Sequence, residues 1–108
     1  LRNDFRIVFI TASSDKEAHY LAKSLLKERL AACVNFIPKV KSQYWWKGKI
    51  EHTSETLLIV KTTKQAIAKL TRRVKELHSY ATPEIISCSI MEGNNDYLKW
   101  IKDSVRAL

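Results

Sequence analysis

Apolar residues recur along this chain with two different periods, and the switches between them mark its elements. Residues 6–12, RIVFITA, form a compact apolar run of strand length. Ser14-Asp15-Lys16-Glu17 has the spacing of a capping box, with Ser14 as N-cap and Glu17 reaching back. Ala18, Leu21, Ala22, Leu25, Leu26 and Leu30 follow at helical spacing. The stretch from Ala31 to Thr62 reads instead as one long β-hairpin turning at Lys47-Gly48-Lys49. Thr62-Thr63 stops its second strand and offers an N-cap for a helix running to about His78, with Ile67, Leu70, Val74 and Leu77 on one stripe. Thr82-Pro83 forces an extended approach into a strand over 84–91. Gly93, Asn94 and Asn95 make a turn, and Asp96 starts a last helix carrying Tyr97, Leu98, Ile101 and Val105.

The order is strand, helix, strand, strand, helix, strand, helix. Its first six elements have the split βαβ arrangement. Right-handed crossovers set the two main helices on one face of a four-stranded antiparallel sheet. The fold class is therefore α+β and ferredoxin-like, with a long hairpin between the second and third strands and an extra C-terminal helix. The opposite sheet face is left bare, and copies of the chain are expected to meet there.

The hairpin is too long for the domain beneath it. A strand from Cys33 to Trp46 spans roughly 45 Å at about 3.3 Å per residue, whereas a helix of some fifteen residues is only about 23 Å long. With Gly48 centring a three-residue turn, Trp46 faces Ile50, Tyr44 faces His52, Val40 faces Thr56 and Phe36 faces Val60. Alternation then puts Val34, Phe36, Val40, Tyr44, Trp46, Ile50, Leu58 and Val60 on one side. The other side pairs Lys41 with Glu55 and Asn35 with Lys61, and carries Trp45, Ile37 and Ile59. A bulge near Pro38 would shift this register without removing the overhang. Adjacent tryptophans cannot share one core, and each wet one forfeits roughly 5 kcal/mol, from on the order of 200 Å² at about 25 cal/mol per Å². Such an arm needs another chain to cover it.

Composition narrows the function classes. The 108 residues suit one domain, 1–108, with a modest core. No apolar run is long enough to span a membrane. The start, Leu1-Arg2-Asn3-Asp4-Phe5, has no signal-like apolar segment and no initiator methionine. Cys33 and Cys88 do not form a disulfide framework, so a reduced compartment, the cytoplasm, is expected. The net charge of +8 invites a nucleic-acid reading. The nearest cluster, however, is Lys69, Arg72, Arg73 and Lys75 on one helix, a solvated face, and no nucleic-acid motif accompanies it. Neither nucleic acid nor a membrane is expected as a partner.

Several motifs coincide with one family. Ala31-Ala32-Cys33-Val34-Asn35, Ile37-Pro38 and Tyr44-Trp45-Trp46-Lys47-Gly48-Lys49-Ile50 resemble the CutA family of divalent-cation tolerance proteins. So do Lys61-Thr62-Thr63, the run from His78 to Ile86, Gly93-Asn94, Asp96-Tyr97-Leu98 and Trp100-Ile101. The resemblance implies a ferredoxin-like subunit, an interlocked homotrimer, kinship with PII signalling proteins, and association with copper or another divalent metal. Two departures stand out. Many relatives have His-Pro-Tyr where this chain has His78-Ser79-Tyr80, which frees the backbone after the helix. Some have a cysteine at the end of the first strand where this chain has Ile10.

The resemblance also implies a ligand set, because Cys33, His78 and Glu84 match family positions implicated in copper binding. Thiolate and imidazole suit copper and zinc, and a carboxylate completes a mixed set. Taken singly, each residue has a structural role open to it. Cys33 is a small apolar residue, His78 lies near a helix C-terminus, and Glu84 can pair with Lys61 or cap a backbone. His19 is expected in solvent, and His52 across from Tyr44. A second function class is a sensor of small molecules, with Tyr80, Glu84, Lys61 and Trp46 lining a cleft between subunits. No glycine-rich phosphate loop and no nucleophile elbow is present. An enzyme is not expected.

Overall fold

A computed structural model describes residues 4–106 of the chain. Residues 1–3 and 107–108, the ends of the expected 1–108 domain, lie outside the described residues. The elements are β1 (Phe5–Ala12), α1 (Asp15–Lys27), β2 (Cys33–Trp46), β3 (Lys49–Thr63), α2 (Ile67–Leu77), β4 (Ile85–Ser89) and α3 (Asn95–Ser104). The strands form one sheet in the order β2-β3-β1-β4, antiparallel at every pairing. This is the ferredoxin-like α+β arrangement expected from the periodicity. Among the described residues no helix is long and apolar enough to cross a membrane.

Alternation divides the sheet into two unequal faces. Val8, Ile10 and Ala12 of β1 and Leu58 and Val60 of β3 are buried against Ala18, Leu21 and Leu25 of α1 and Leu70 and Val74 of α2. Phe5 points the other way and packs with Ile101 and Val105, so α3 covers one end of the second face. The rest of that face is open. Ile7, Phe9, Leu57 and Ile59 are only half-buried, and Ile37 and Ile86 are exposed.

Local chemistry sets the ends of the elements. Arg29 has a φ of 61°. The Leu30 N–H donates to the Leu25 carbonyl at 2.9 Å and the Arg29 N–H to the Leu26 carbonyl at 3.1 Å. That is a Schellman stop with arginine in the position glycine usually takes. Thr62 does not cap α2. Its buried hydroxyl donates to the Leu30 carbonyl at 2.7 Å, and a 3-10 turn at Lys64–Ala66 leads into the helix after Thr63 instead. At α3, the Asn94 side chain accepts from the Asp96 N–H.

The hairpin has the expected length but not the expected register. Lys47 and Gly48 both have positive φ, 50° and 78°, and Trp46 pairs with Lys49. The turn is therefore a two-residue loop of the I′ kind. Trp45 rather than Trp46 faces Ile50, Gln43 rather than Tyr44 faces His52, and Ser54 rather than Glu55 faces Lys41. Between Ile37 and Val40 the register shifts. Lys39 there has a φ of 59°, and β2 carries one residue more than β3, a bulge at Pro38-Lys39. Nearer the base, Phe36 pairs with Leu58, and Asn35 with Ile59. The extra residue turns Val40, Tyr44 and Trp46 onto the open face, while Val34 and Phe36 stay on the helix side. Trp45 and Ile50 also fall on the helix side, beyond the reach of the helices.

One carboxylate ties the start of α1 to the segment after α2. Glu17 Oε1 accepts from the Ser13 N–H at 2.9 Å and from Ser13 Oγ at 2.8 Å, and its Oε2 accepts from the Ser79 N–H at 2.7 Å. The Ser14 hydroxyl caps the Glu17 N–H at 3.1 Å. Glu17 thus reaches one residue past the expected N-cap. Burial alone would raise its pKa, but the hydrogen bonds from Ser13 and Ser79 outweigh it and bring the value down from 4.5 to about 2. A depressed carboxylate pKa contributes stability above its unfolded value, which is lost as pH falls through the folded one. The contribution is on the order of 3 kcal/mol. Glu17→Gln is expected to destabilise the chain by about 1–3 kcal/mol at neutral pH. In denaturant titrations the gap between wild type and variant should close between about pH 4.5 and 2. A gap that persists unchanged at the acid end would contradict this role.

Candidate functional site

A cleft of about 720 Å³ opens where the hairpin leaves the sheet. Its walls come from two sources. Thr11, Tyr44, Trp46 and Glu55 stand on strands, and Tyr80 and Glu84 come from the segment between α2 and β4. The bulge at Pro38-Lys39 puts Tyr44 and Trp46 on the same side as Glu55, and the Glu17–Ser79 hydrogen bond anchors the segment that carries Tyr80. The Tyr80 hydroxyl donates to Glu55 Oε2 at 2.8 Å, and Thr53 Oγ1 donates to the Tyr44 hydroxyl at 2.8 Å. Burial first, and then the bond to Glu55, push the Tyr80 phenol above its ordinary pKa. Burial, and then the charge of Glu55, raise the Glu84 carboxyl. Neither Glu55 nor Glu84 has an ion-pair partner among the described residues. Lys41 lines the rim of the cleft.

His78 sits beside this cleft with a fully buried side chain. Its Nε2 lies 2.7 Å from the Thr11 carbonyl oxygen and its Nδ1 lies 3.0 Å from the Tyr80 nitrogen. An amide N–H needs a bare ring nitrogen to accept it, so the proton is on Nε2, which donates to Thr11. Donation of one ring N–H to a backbone carbonyl is the usual support of a metal-bound histidine. For His78 to ligate, however, Nδ1 must first give up the Tyr80 amide. His78 also C-caps α2 through its own N–H.

The three residues of the expected ligand set are not brought together by one chain. Cys33 begins β2 opposite Lys61, which pairs in turn with Ile7. His78 and Glu84 lie at the Thr11 end. Ile7 and Thr11 are separated by roughly 13 Å of strand. Among the described residues no group of three or more His, Cys, Asp or Glu could hold a metal ion. Lys61 pairs with neither Glu84 nor the cleft; its Nζ donates to Asn35 Oδ1. His19 is exposed as expected, but its ring also stacks on Phe36, with centroids 4.4 Å apart.

The sequence places Tyr80, Glu84, Lys61 and Trp46 at a cleft between subunits; the cleft within one chain is lined by Tyr80, Glu84 and Trp46 but not Lys61, and also by Glu55, Tyr44 and Thr11. Glu55 was assigned to a surface pair with Lys41 because of the register error. The available signal was the strand itself. Glu55 begins the run Glu55-Thr56-Leu57-Leu58, in which a charged residue directly adjoins the core.

Comparison with known proteins agrees with this architecture. The family model described as CutA1 divalent ion tolerance protein matches residues 6–104. The chain is 48% identical to the divalent-cation tolerance protein CutA of Thermus thermophilus, over 91% of this chain and 95% of that protein. It is 43% identical to the chloroplastic protein CutA 1 of Oryza sativa, over 93% of this chain but 56% of that protein. The solved Thermus thermophilus structure superposes with a TM-score of 0.93 at 46% identity, covering 94% of this chain and 99% of that one. The structure titled periplasmic divalent cation tolerance protein CutA, from Archaeoglobus fulgidus, gives 0.92 at 44% identity, covering 94% and 99%. On its sequence match, its fold and its hairpin, the chain belongs to the CutA1 divalent ion tolerance protein family.

Proposed function

We propose that three copies of this chain assemble through the open sheet face and the hairpin arm, and that the assembly binds a divalent metal ion, copper foremost. One observation carries the assembly. Trp45, Trp46 and Ile50 are 73%, 47% and 56% exposed at the end of an arm that nothing in the same chain covers. Clustered large apolar side chains of this kind mark an interaction surface. On the open face, Trp46 shares its side of the sheet with the half-buried row of Phe9, Leu57 and Ile59. The metal part draws its support from the divalent-cation tolerance family. Its ligands would be Cys33, His78 and Glu84, contributed by more than one copy, since a single chain keeps Cys33 apart from the other two. The proposal has no catalytic step. It places the chain in a reducing compartment, the cytoplasm, in keeping with two free cysteines, one of them exposed.

A second reading rests on the cleft itself. An open cleft of ligand size, with three aromatic rings and two carboxylates, suits a small-molecule effector.

The assembly is checked by sedimentation equilibrium at micromolar concentration, where the mass should be three times the 12.5 kDa of one chain. Ile59→Glu puts a charge into the centre of the open face. It should shift the population toward smaller species or unfold it, because folding and assembly are linked. A folded wild-type monomer would contradict the proposal.

The metal site is checked by copper and zinc calorimetry on wild type, Cys33→Ala, His78→Ala and Glu84→Ala, with circular dichroism as a folding control. Each variant should lose about tenfold or more in affinity, equivalent to about 1.4 kcal/mol. Because the Glu84 carboxyl is raised, it takes up its proton, and copper affinity falls, at a higher pH than for an ordinary glutamate. Three variants that bind as wild type does would remove this ligand set.

A further inference from the structure

The cleft is locally acidic in a chain whose net charge is +8. Glu55 is buried at its floor with one oxygen, Oε2, taken by the Tyr80 hydroxyl at 2.8 Å. Its second oxygen has no partner of its own among the hydrogen bonds of the described residues. Glu84 opens into the same space and feels the charge of Glu55. Among the described residues no cation is paired with either carboxylate, and Lys41 is the one basic side chain in the lining, so these residues leave the cleft net negative. Around the carboxylates stand the rings of Tyr44, Trp46 and Tyr80.

Two acids without cations among three aromatic faces are a recognition pattern for a positively charged organic group. The carboxylates accept its N–H donors and the ring faces attract its charge and its methylenes. The geometry separates this from a bare metal site. A metal ion needs several donor atoms converging at close range, and no such cluster exists here among the described residues. The volume of about 720 Å³ matches a small organic molecule instead.

We infer that this cleft binds a small alkylammonium ion, with Glu55 and Glu84 each available to one ammonium group and the alkyl chain against Tyr44, Trp46 and Tyr80. With two carboxylates present, a diammonium ion binds better than a monoammonium one. This inference rests on the second reading above, that the cleft takes an effector, and adds the chemical class.

The test is calorimetry and tryptophan fluorescence on the full assembled chain. The probes are putrescine, butylamine, tetramethylammonium, butyrate, butanol and copper(II). Putrescine should bind saturably, one per chain, and more tightly than butylamine, with affinity falling as salt is added. Butyrate and butanol should not saturate. Glu84→Gln keeps size and polarity at an exposed position and should weaken putrescine about tenfold. Tyr80→Phe, which keeps the ring and deletes the donor to Glu55, should change affinity without loss of folding. Glu76→Gln, an equal charge change on α2, should leave it unaltered.

Saturable butyrate or butanol binding without putrescine binding would overturn the alkylammonium class and leave the effector reading standing. Putrescine binding equally well to Glu84→Gln and Glu55→Gln would overturn the assigned carboxylates. Failure of every organic probe, with copper alone binding, would overturn both this inference and the effector reading.

Discussion

A hairpin arm that outruns its own domain is the constraint on which the rest of this structure depends. Its inner half is held from the helix side, where Leu58 and Val60 are buried against α1 and α2. Its outer half has no helix over the side of Trp45 and Ile50, and on the other side only the segment carrying Tyr80 and Glu84 stands beside it. The molecule measures 44 Å along its longest axis but only 25 and 22 Å across, and the arm accounts for that anisotropy. Trp45 and Trp46, 73% and 47% exposed, together forfeit about 6 kcal/mol of burial. For a domain of this size, whose total stability is about 5–15 kcal/mol, that is a large loss, and the proposed assembly would recover it.

The bulge at Pro38-Lys39 decides what the arm presents. One additional residue in β2 moves Tyr44 and Trp46 to the open face and leaves Trp45 with Ile50 on the other. Both sides of the arm therefore become sticky, and the cleft gains two of its three rings. The segment after α2 supplies the third. It is fixed by Glu17 through the Ser79 N–H and by His78 through the Tyr80 N–H. A proline in place of Ser79 could not make the first of these bonds. The serine that was expected to free this backbone instead fastens it to α1. The proposed assembly surface and the candidate site thus share Tyr44 and Trp46.

Much of the fold was legible in the sequence because its hydrophobic periods are clean. The Cys33–Trp46 strand was read with its observed bounds, and the stripe of Leu70 and Val74 does face the core. The register was not legible. Three residues with positive φ shape the chain at its stops and turns, namely Arg29, Lys39 and Lys47, and none belongs to a type that advertises a left-handed conformation. Only Gly48 gave a visible signal, and it was read as the centre of a longer turn. Of the four residues expected from family resemblance at a cleft between subunits, Tyr80, Glu84 and Trp46 line the cleft within one chain and Lys61 does not. Glu55 was hidden by the register error. The Tyr80 N–H bond to His78 is local, but the bond from His78 Nε2 to the Thr11 carbonyl joins residues 67 apart in sequence, which no local pattern encodes.

The central claim, that the outer arm is covered by another copy, is tested most directly at the free edge of β2. In one chain the outward-pointing amides between residues 39 and 46 have no strand beside them. Hydrogen exchange of wild type at micromolar concentration should show these amides protected to nearly the same degree as those of β1. Rapid exchange along that edge, in a protein whose β1 amides remain protected, would contradict the account.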